Sequence, residues 1–276
     1  MEAATRSRER VNKESLFDIE IPLPPLDIQR KIARVLDQAQ TLIDKRKDQI
    51  ALLEGLAESE FLDMFGDPLT NPRGWRTSRL GDLADIVSGV TKGRKIASSE
   101  TVTVPYMRVA NVQDGRLDLS EIKDIEVTTA ELHKYNLVYG DILMTEGGDP
   151  DKLGRGAIWR NELEPCIHQN HIFRVRLKDV DIIPDYFCRL VGSAYGKRYF
   201  LRAAKQTTGI ATINATQLRD FPILMPPISL QKEFGKIVGS IAKQLARFEQ
   251  SLAEMETLYQ SLMQQAFRGE LFGGTC

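Results

Sequence analysis

The chain has 276 residues, 42% of them hydrophobic, with 37 Lys and Arg against 38 Asp and Glu. That is enough apolar mass for one large domain or two small ones, and a charge balance that argues against a freestanding, uniformly basic nucleic-acid binder while leaving room for one with a basic face. No run of eighteen apolar residues is present to span a membrane, and the opening MEAATRSRER has no apolar signal core. Cys166, Cys188 and Cys276 are odd in number and share no metal spacing, which suits a reducing cytoplasm.

Residues 1–26 read as an Arg-rich lead followed by one strand-like run, Ile19, Ile21 and Leu23, closed by Pro24-Pro25. Proline donates no ladder hydrogen bond and holds the residue before it extended, so the pair stops the strand. A long helix is expected over 27–65, with Asp27 at the N-cap position and apolar residues at a three-to-four spacing. They are Ile28, Ile32, Val35, Ala39, Leu42, Ile50, Leu53, Ala57, Phe61 and Met64, with Arg46 interrupting the stripe. Lys45-Arg46-Lys47 reads as a solvated face or a partner contact.

Residues 66–227 read as a mixed α/β globular segment. Strand-like runs fall at 83–87, 103–109, 142–145, 157–159 and 172–177, separated by turns at Asp114-Gly115, Tyr139-Gly140-Asp141 and Gly147-Gly148-Asp149-Pro150. A helix is expected over 185–202. A second long helix follows over 228–270, with Ser229 as its N-cap candidate and Gly269 as its stop, and residues 271–276 form a tail.

The start and the end of this order are copies. Leu16–Ile32 and Leu218–Phe234 align at an offset of 202 without a gap. Asn12 matches Asn214, Asp18 matches Asp220, Pro24-Pro25 match Pro226-Pro227, and Gln29 matches Gln231. The register persists to Leu56 with Leu258 and Phe65 with Phe267. A repeat this long is a duplicated domain with its connecting helix, not a solenoid unit. The first copy has nothing comparable before it, so residues 1–26 read as the tail of a first, otherwise missing domain. The two helices are expected to pair antiparallel as a hairpin, with two separate helices lying on the globular segment as the alternative. The seam positions are Ile32, Val35, Ile50 and Leu53 on the first helix and Phe234, Ile237, Ile241, Leu252 and Leu262 on the second. The fold class expected is α+β: one mixed domain plus two long helices in an antiparallel coiled coil.

No active site is legible. The Asn-Pro-Pro-aromatic tetrad of adenine methyltransferases is absent, since Asn71-Pro72 is followed by Arg73. Gly147-Gly148 and Gly154-x-Gly156 are not a dinucleotide fingerprint and read as loop. Cys166-x-His168-x-x-His171 lacks a fourth metal ligand and runs into a strand. Glu121-Ile122-Lys123 has no nuclease motif around it. No metal and no cofactor are expected in this chain.

The duplicated Pro-Pro-x-x-x-Gln element with its long helix resembles the conserved regions of Type I restriction-modification specificity subunits. Gly74-Trp75, Leu80–Gly89, Tyr139–Met144, Thr145–Gly156 and Gly209–Leu218 resemble phrases of one target recognition domain of that family. The resemblance implies two recognition domains held apart by an antiparallel coiled coil, each reading half of a split DNA site. It also implies a coiled coil that docks methyltransferase subunits, which carry S-adenosylmethionine, and a restriction subunit that joins the same complex. Only one recognition domain is recognisable here. The resemblance therefore leaves two readings: a half-length subunit that dimerises, or a fragment of a longer chain. A third, an assembly protein that occupies the methyltransferase without reading a target, is the alternative function.

If the segment reads DNA, it needs cations for phosphates and Arg, Asn or Gln for base edges. Candidate loops supply both. They are Thr91, Lys92, Arg94 and Lys95; Arg108 and Asn111; Gly148, Lys152 and Arg155; His168, Gln169 and Asn170; and Lys205, Thr207 and Thr208. For each the competing reading is a solvated turn or a structural role. Half of the residues from His168 to His171 must face inward if that stretch is a strand.

Overall fold

The computed structural model describes residues 23–94, 96, 100–149, 153–178, 181–207 and 210–272. The chain divides into two compact units, Met1–Leu53 with Lys243–Cys276, and Glu54–Ala242. The compact unit that holds the strands therefore takes in the last turns of the first long helix and the first turns of the second. In the sequence both stretches belong to the long helices over 27–65 and 228–270.

The two long helices are α1, Leu26–Phe65, and α7, Ile228–Phe267. Each starts one residue before the expected cap: Gln29 N–H already donates to the Pro25 carbonyl, so Asp27 and Ser229 lie inside the first turn. Each ends on a left-handed glycine. Gly66 has φ +78°, and an added Cβ there would lie 2.7 Å from Pro72 Cγ; Gly269 has φ +73°.

In the smaller unit the helices touch through the residue that breaks the apolar stripe. The Arg46 guanidinium lies 4.6 Å from the Phe248 ring centre, and Lys47 pairs with Glu256 at 2.9 Å. The interruption is thus an intrachain contact. Ile43 is buried and Leu42 exposed, the reverse of the expected stripe, while Ile32, Val35, Ile50, Leu53, Leu252 and Leu262 are half-buried. Phe234, Ile237 and Ile241 belong to the larger unit. There Phe234 packs against Phe61 and Phe65, with ring centres 5.6 and 5.5 Å away, in a core shared with Tyr186. Phe61 and Phe65 lie on α1, so Phe234 meets the first long helix within the larger unit.

The larger unit is built from short strands. In chain order they are β1 Thr77–Arg79, β2 Ala84–Ser88, β3 Thr101–Met107, β4 Lys123–Thr128, β5 Ile142–Thr145, β6 Gly147–Gly148, β7 Gly156–Ile158, β8 Ile167–His168, β9 Ile172–Leu177, β10 Lys205–Thr207, β11 Ile210–Thr212 and β12 Pro222–Leu224. Between them lie α2 Leu80–Leu83, α3 Thr129–Tyr135, α4 Pro184–Gly192, α5 Ala194–Ala203 and α6 Ala215–Arg219.

An antiparallel sheet β2-β9-β5-β7 forms the centre. Ile142 and Met144 face the main core while Leu143 faces a second cluster with Trp159, Met107 and Cys166. Burial on both faces is why Ile142–Met144 is an unbroken apolar run. On β2 only one face is covered, so Ala84 and Ile86 are buried and Asp85 is not. A smaller sheet, β4-β3-β8, closes a third cluster of Val90, Val104, Tyr106, Val127 and Ile167. The expected helix over 185–202 is broken at Ser193, which caps α5 with extended backbone.

Candidate nucleic-acid interface

The candidate loops are positioned by close backbone contacts that only particular residues allow. Gly89 passes His168 so tightly that an added Cβ would lie 1.9 Å from the His168 carbonyl oxygen. Val90 N–H then donates to that carbonyl, and Asn170 N–H donates back to the Val90 carbonyl. This parallel bridge sets the exposed Thr91 and Lys92 beside Gln169 and Asn170, both half-buried.

Arg94 holds the same loop from its far end. Its Nη1 donates to the Thr91 carbonyl at 3.0 Å, and its Nε donates to Glu131 Oε1 at 3.0 Å, with Nη2 on Oε2. Glu131 is also the capping-box partner of Thr128 at the start of α3. Burial pushes the Glu131 carboxyl up, but the Thr128 N–H and the Arg94 guanidinium outweigh it and hold it below the usual carboxylate range. Arg94 is therefore a latch for the loop, with three of its five N–H donors committed.

Two other candidate loops meet on one sheet. β6 pairs with β11, Gly147 opposite Thr212 and Gly148 opposite Ala211, and β11 pairs with β10 so that Lys205 lies opposite Thr212. The glycines have packing reasons. A Cβ at Gly147 would lie 2.7 Å from Thr212 Cγ2, and one at Gly154 (φ +71°) would lie 2.4 Å from the Phe200 ring. Gly148 is half-buried at the sheet edge and Lys205 is exposed. Arg155 Nη1 donates to Gln113 Oε1 at 3.0 Å, tying this region to the Asp114-Gly115 turn. Lys95, Lys152 and Thr208 lie outside the described residues, and Thr207 is described by its backbone, in β10.

Three candidates are corrected. His168 is 0% exposed, with Nε2 3.2 Å from the Val87 carbonyl, and burial pushes its pKa down to about 4. Because a carbonyl only accepts, Nε2 carries the proton, and the neutral ring is core, not a base reader. Asn111 is buried; its amide donates to the Asp118 and Glu121 carbonyls and its Oδ1 accepts from Arg108 N–H. Arg108 donates to the Glu121 carbonyl and pairs with its carboxylate at 3.2 Å. The two residues fold their own loop. The Cys-x-His-x-x-His spacing is likewise dispersed. Cys166 sits in a core cluster, where burial pushes its thiol up to about 12, and His171 turns out to Glu146, with 2.8 Å between Nδ1 and Oε2. Among the described residues no three His, Cys, Asp or Glu are grouped to hold a metal. Asn71, of the Asn-Pro pair, has φ +46°, and its side chain bonds both the N–H and the carbonyl of Trp75.

One signal went unread. Between Asp185 and Asp220 the chain holds no acidic residue but carries Arg189, Lys197, Arg198, Arg202, Lys205 and Arg219. Arg189 pairs with Glu58 and Lys197 with Asp114, while Arg198, Arg202 and Lys205 are exposed and form no ion pair among the described residues. Arg198 and Arg202 stand four apart on α5, hence on one side of it, and Lys205 follows at the start of the β10–β11 hairpin. The near-neutral composition hides this tract.

Residues 4–54 and 72–257 match the family model described as the Type I restriction modification DNA specificity domain. The chain is 26% identical over 277 residues to the Type I restriction enzyme StySPI specificity subunit of Salmonella potsdam, covering 94% of this chain and 59% of that protein. It is 26% identical over 278 residues to the EcoKI specificity subunit of Escherichia coli, again covering 94% and 59%. The fold matches a chain from a structure of the type I R-M system with a TM-score of 0.61 at 20% identity, covering 95% of this chain and 64% of that one. It matches the S subunit from M. genitalium at 0.54 and 16%, covering 93% and 65%. The chain thus spans about three-fifths of the length of the curated relatives it matches.

Proposed function

Because the chain belongs to the Type I restriction-modification DNA specificity family, we propose that it is the sequence-reading subunit of such a complex. It is itself non-catalytic and works in the cytoplasm. In this reading the compact unit reads one half-site. Two copies of the chain dimerise and together read a split site. Partner methyltransferase subunits, docked on the paired helices, supply S-adenosylmethionine and methylate adenine, taking the base out of the stack to do so. A restriction subunit joins the same assembly.

The observation that carries the reading is the joining of dispersed polar segments within the compact unit. Thr91-Lys92, Gly147-Gly148, Gln169–His171 and the β10–β11 hairpin are separated in sequence yet linked by direct backbone pairing; Lys205 lies on the last of them and Arg198 and Arg202 on the helix before it, none in an ion pair among the described residues. Cations for phosphates and amides for base edges are what duplex reading requires.

The test is a methylation map: the chain is co-expressed with the methyltransferase subunit of its own system, and the host DNA is sequenced for modified adenine. A split palindrome is expected, one half-site from each of two identical copies. An asymmetric split site would replace the homodimer with pairing to a different recognition domain. Unmodified DNA, with the methyltransferase intact and bound to this chain, would overturn target reading in favour of an assembly role.

A further inference from the structure

We infer that Glu146 is a base-reading residue of the half-site, accepting a hydrogen bond from the exocyclic amino group of a cytosine, and that His171 is its positioning residue. This rests on the DNA-recognition reading above and deepens it. Glu146 joins β5 to β6 and is fixed at every backbone group. Its N–H donates to the His171 carbonyl at 3.0 Å and its carbonyl accepts from Ile213 N–H at 2.9 Å. Its carboxylate is fixed as well, with Oε2 2.8 Å from His171 Nδ1, yet about a third of the side chain stays open to solvent.

The carboxylate sits between the candidate DNA-contacting segments. On one side Gly147 leads across the sheet to Thr212 and Lys205. On the other, His171 continues from Gln169 and Asn170, which are bonded to Val90 beside Thr91 and Lys92. A fixed negative charge there is repelled by phosphates, so it weakens backbone binding. It is favourable only against a hydrogen-bond donor on a base edge. In the major groove cytosine N4–H2 has an acceptor on one side only, the O6 of its paired guanine, whereas adenine N6–H2 lies between the T O4 of its pair and its own N7, which repels the second carboxylate oxygen. Cytosine is therefore the base that Glu146 selects. The glutamine amide, with one donor and one acceptor, fits adenine instead.

The experiment selects full-length chains against duplexes of randomised sequence at fixed salt and sequences the bound fraction, using the wild type, Glu146→Gln, Glu146→Ala and His171→Ala, with a melting curve for each. The wild type is expected to enrich a motif with cytosine at one position. Glu146→Gln shifts that position alone to adenine. Glu146→Ala loses discrimination there by roughly 10- to 100-fold, the range of one good base contact. His171→Ala blunts the same position and no other. An identical motif from the wild type and Glu146→Gln overturns the assignment and leaves DNA recognition standing. A Glu146→Gln chain that melts lower and loses every position equally marks a structural role and also overturns it. A wild type that enriches no sequence overturns the DNA-recognition reading and the assignment together.

Discussion

The two copies of the Pro-Pro element share a sequence and part of a local structure, and then diverge. In both, the glutamine five residues after the first proline folds back on that proline's carbonyl, Gln29 on Pro24 at 2.8 Å and Gln231 on Pro226 at 2.9 Å. In the second copy the same glutamine also donates to the Asp181 carbonyl at 2.9 Å, accepts from Ile183 N–H at 3.1 Å, and is 0% exposed. Met225 is buried there, whereas its counterpart Leu23 is 82% exposed; Ile228 is half-buried, whereas Leu26 is 60% exposed. Short-range chemistry repeats with the sequence. Burial does not: in the second copy Asp181 and Ile183 hold Gln231, while Phe61, Phe65 and Tyr186 share a core with Phe234 and Met225.

The largest test of that contrast is at the matched pair Ile32 and Phe234. Phe234→Ala empties a site lined by Phe61 and Phe65 and is expected to cost about 3–5 kcal/mol. Ile32→Ala, in a half-buried position, is expected to cost about 1 kcal/mol or less. Urea denaturation of both variants measures the gap, and equal losses would break the comparison.

The same contrast between a covered and an uncovered copy of one residue type recurs three residues apart, at His168 and His171. Burial lowers the folded pKa of His168 to about 4, below the ordinary 6.5. The unfolded chain therefore takes up this proton first as pH falls. The stability contributed by the neutral buried ring is complete above about pH 6.5 and is lost progressively toward pH 4, a loss on the order of 3 kcal/mol. His168→Gln is expected to flatten that part of the stability-versus-pH curve. Parallel curves for the two chains between pH 7 and pH 4.5 would count against it.

Gln231→Ala comes next. It removes three hydrogen bonds at once, to the Ile183 N–H and to the Asp181 and Pro226 carbonyls, the last of them fully buried, and is expected to cost about 1–3 kcal/mol. Gln29→Ala, which loses one partly exposed bond, is expected to stay within about 0.5 kcal/mol. Thermal melts of the two variants sharpen the comparison by isolating the bonds that only the second copy makes.

Legibility followed the same line. The strands at 142–145 and 172–177 and the two long helices are readable because their signals are local: the apolar run Ile142–Met144, the alternation of Phe173, Val175 and Leu177 with Arg174 and Arg176, or apolar residues at helical spacing. β4, Lys123–Thr128, was missed because Lys123, Asp124 and Glu126 are exposed and only Val127 is fully covered, so its outer face reads as charged loop. The helix over 185–202 breaks at Gly192-Ser193, a short Gly-Ser signal that the apolar residues on both sides of it outweigh in the sequence. At the candidate interface the loops were legible as Gly-broken, basic stretches. The committed partners were not: Arg94 is held by a glutamate 37 residues on, and His168 is covered by Val87, 81 residues back. Residue type and spacing carry no information about contacts at that range. Glu146 is not legible as a site because an acidic residue before Gly147-Gly148-Asp149-Pro150 reads as part of that turn.

The smallest expected effect is at the exposed leucines of the first copy. Leu26→Ser removes an apolar side chain that is mostly in water already, so the transfer term that makes such changes costly is nearly absent. Stability is expected to change by no more than about 0.5 kcal/mol, within the range of ordinary surface substitutions. Met225→Ser, at the position equivalent to Leu23, serves as the positive control because that side chain is buried in the main core. A Leu26→Ser chain that melts several degrees lower would mean that the first copy is covered in solution, and the contrast between the copies would then be one of degree. An unchanged melt, beside a lowered one for Met225→Ser, would leave burial by the recognition domain as the physical difference between two otherwise matched sequences.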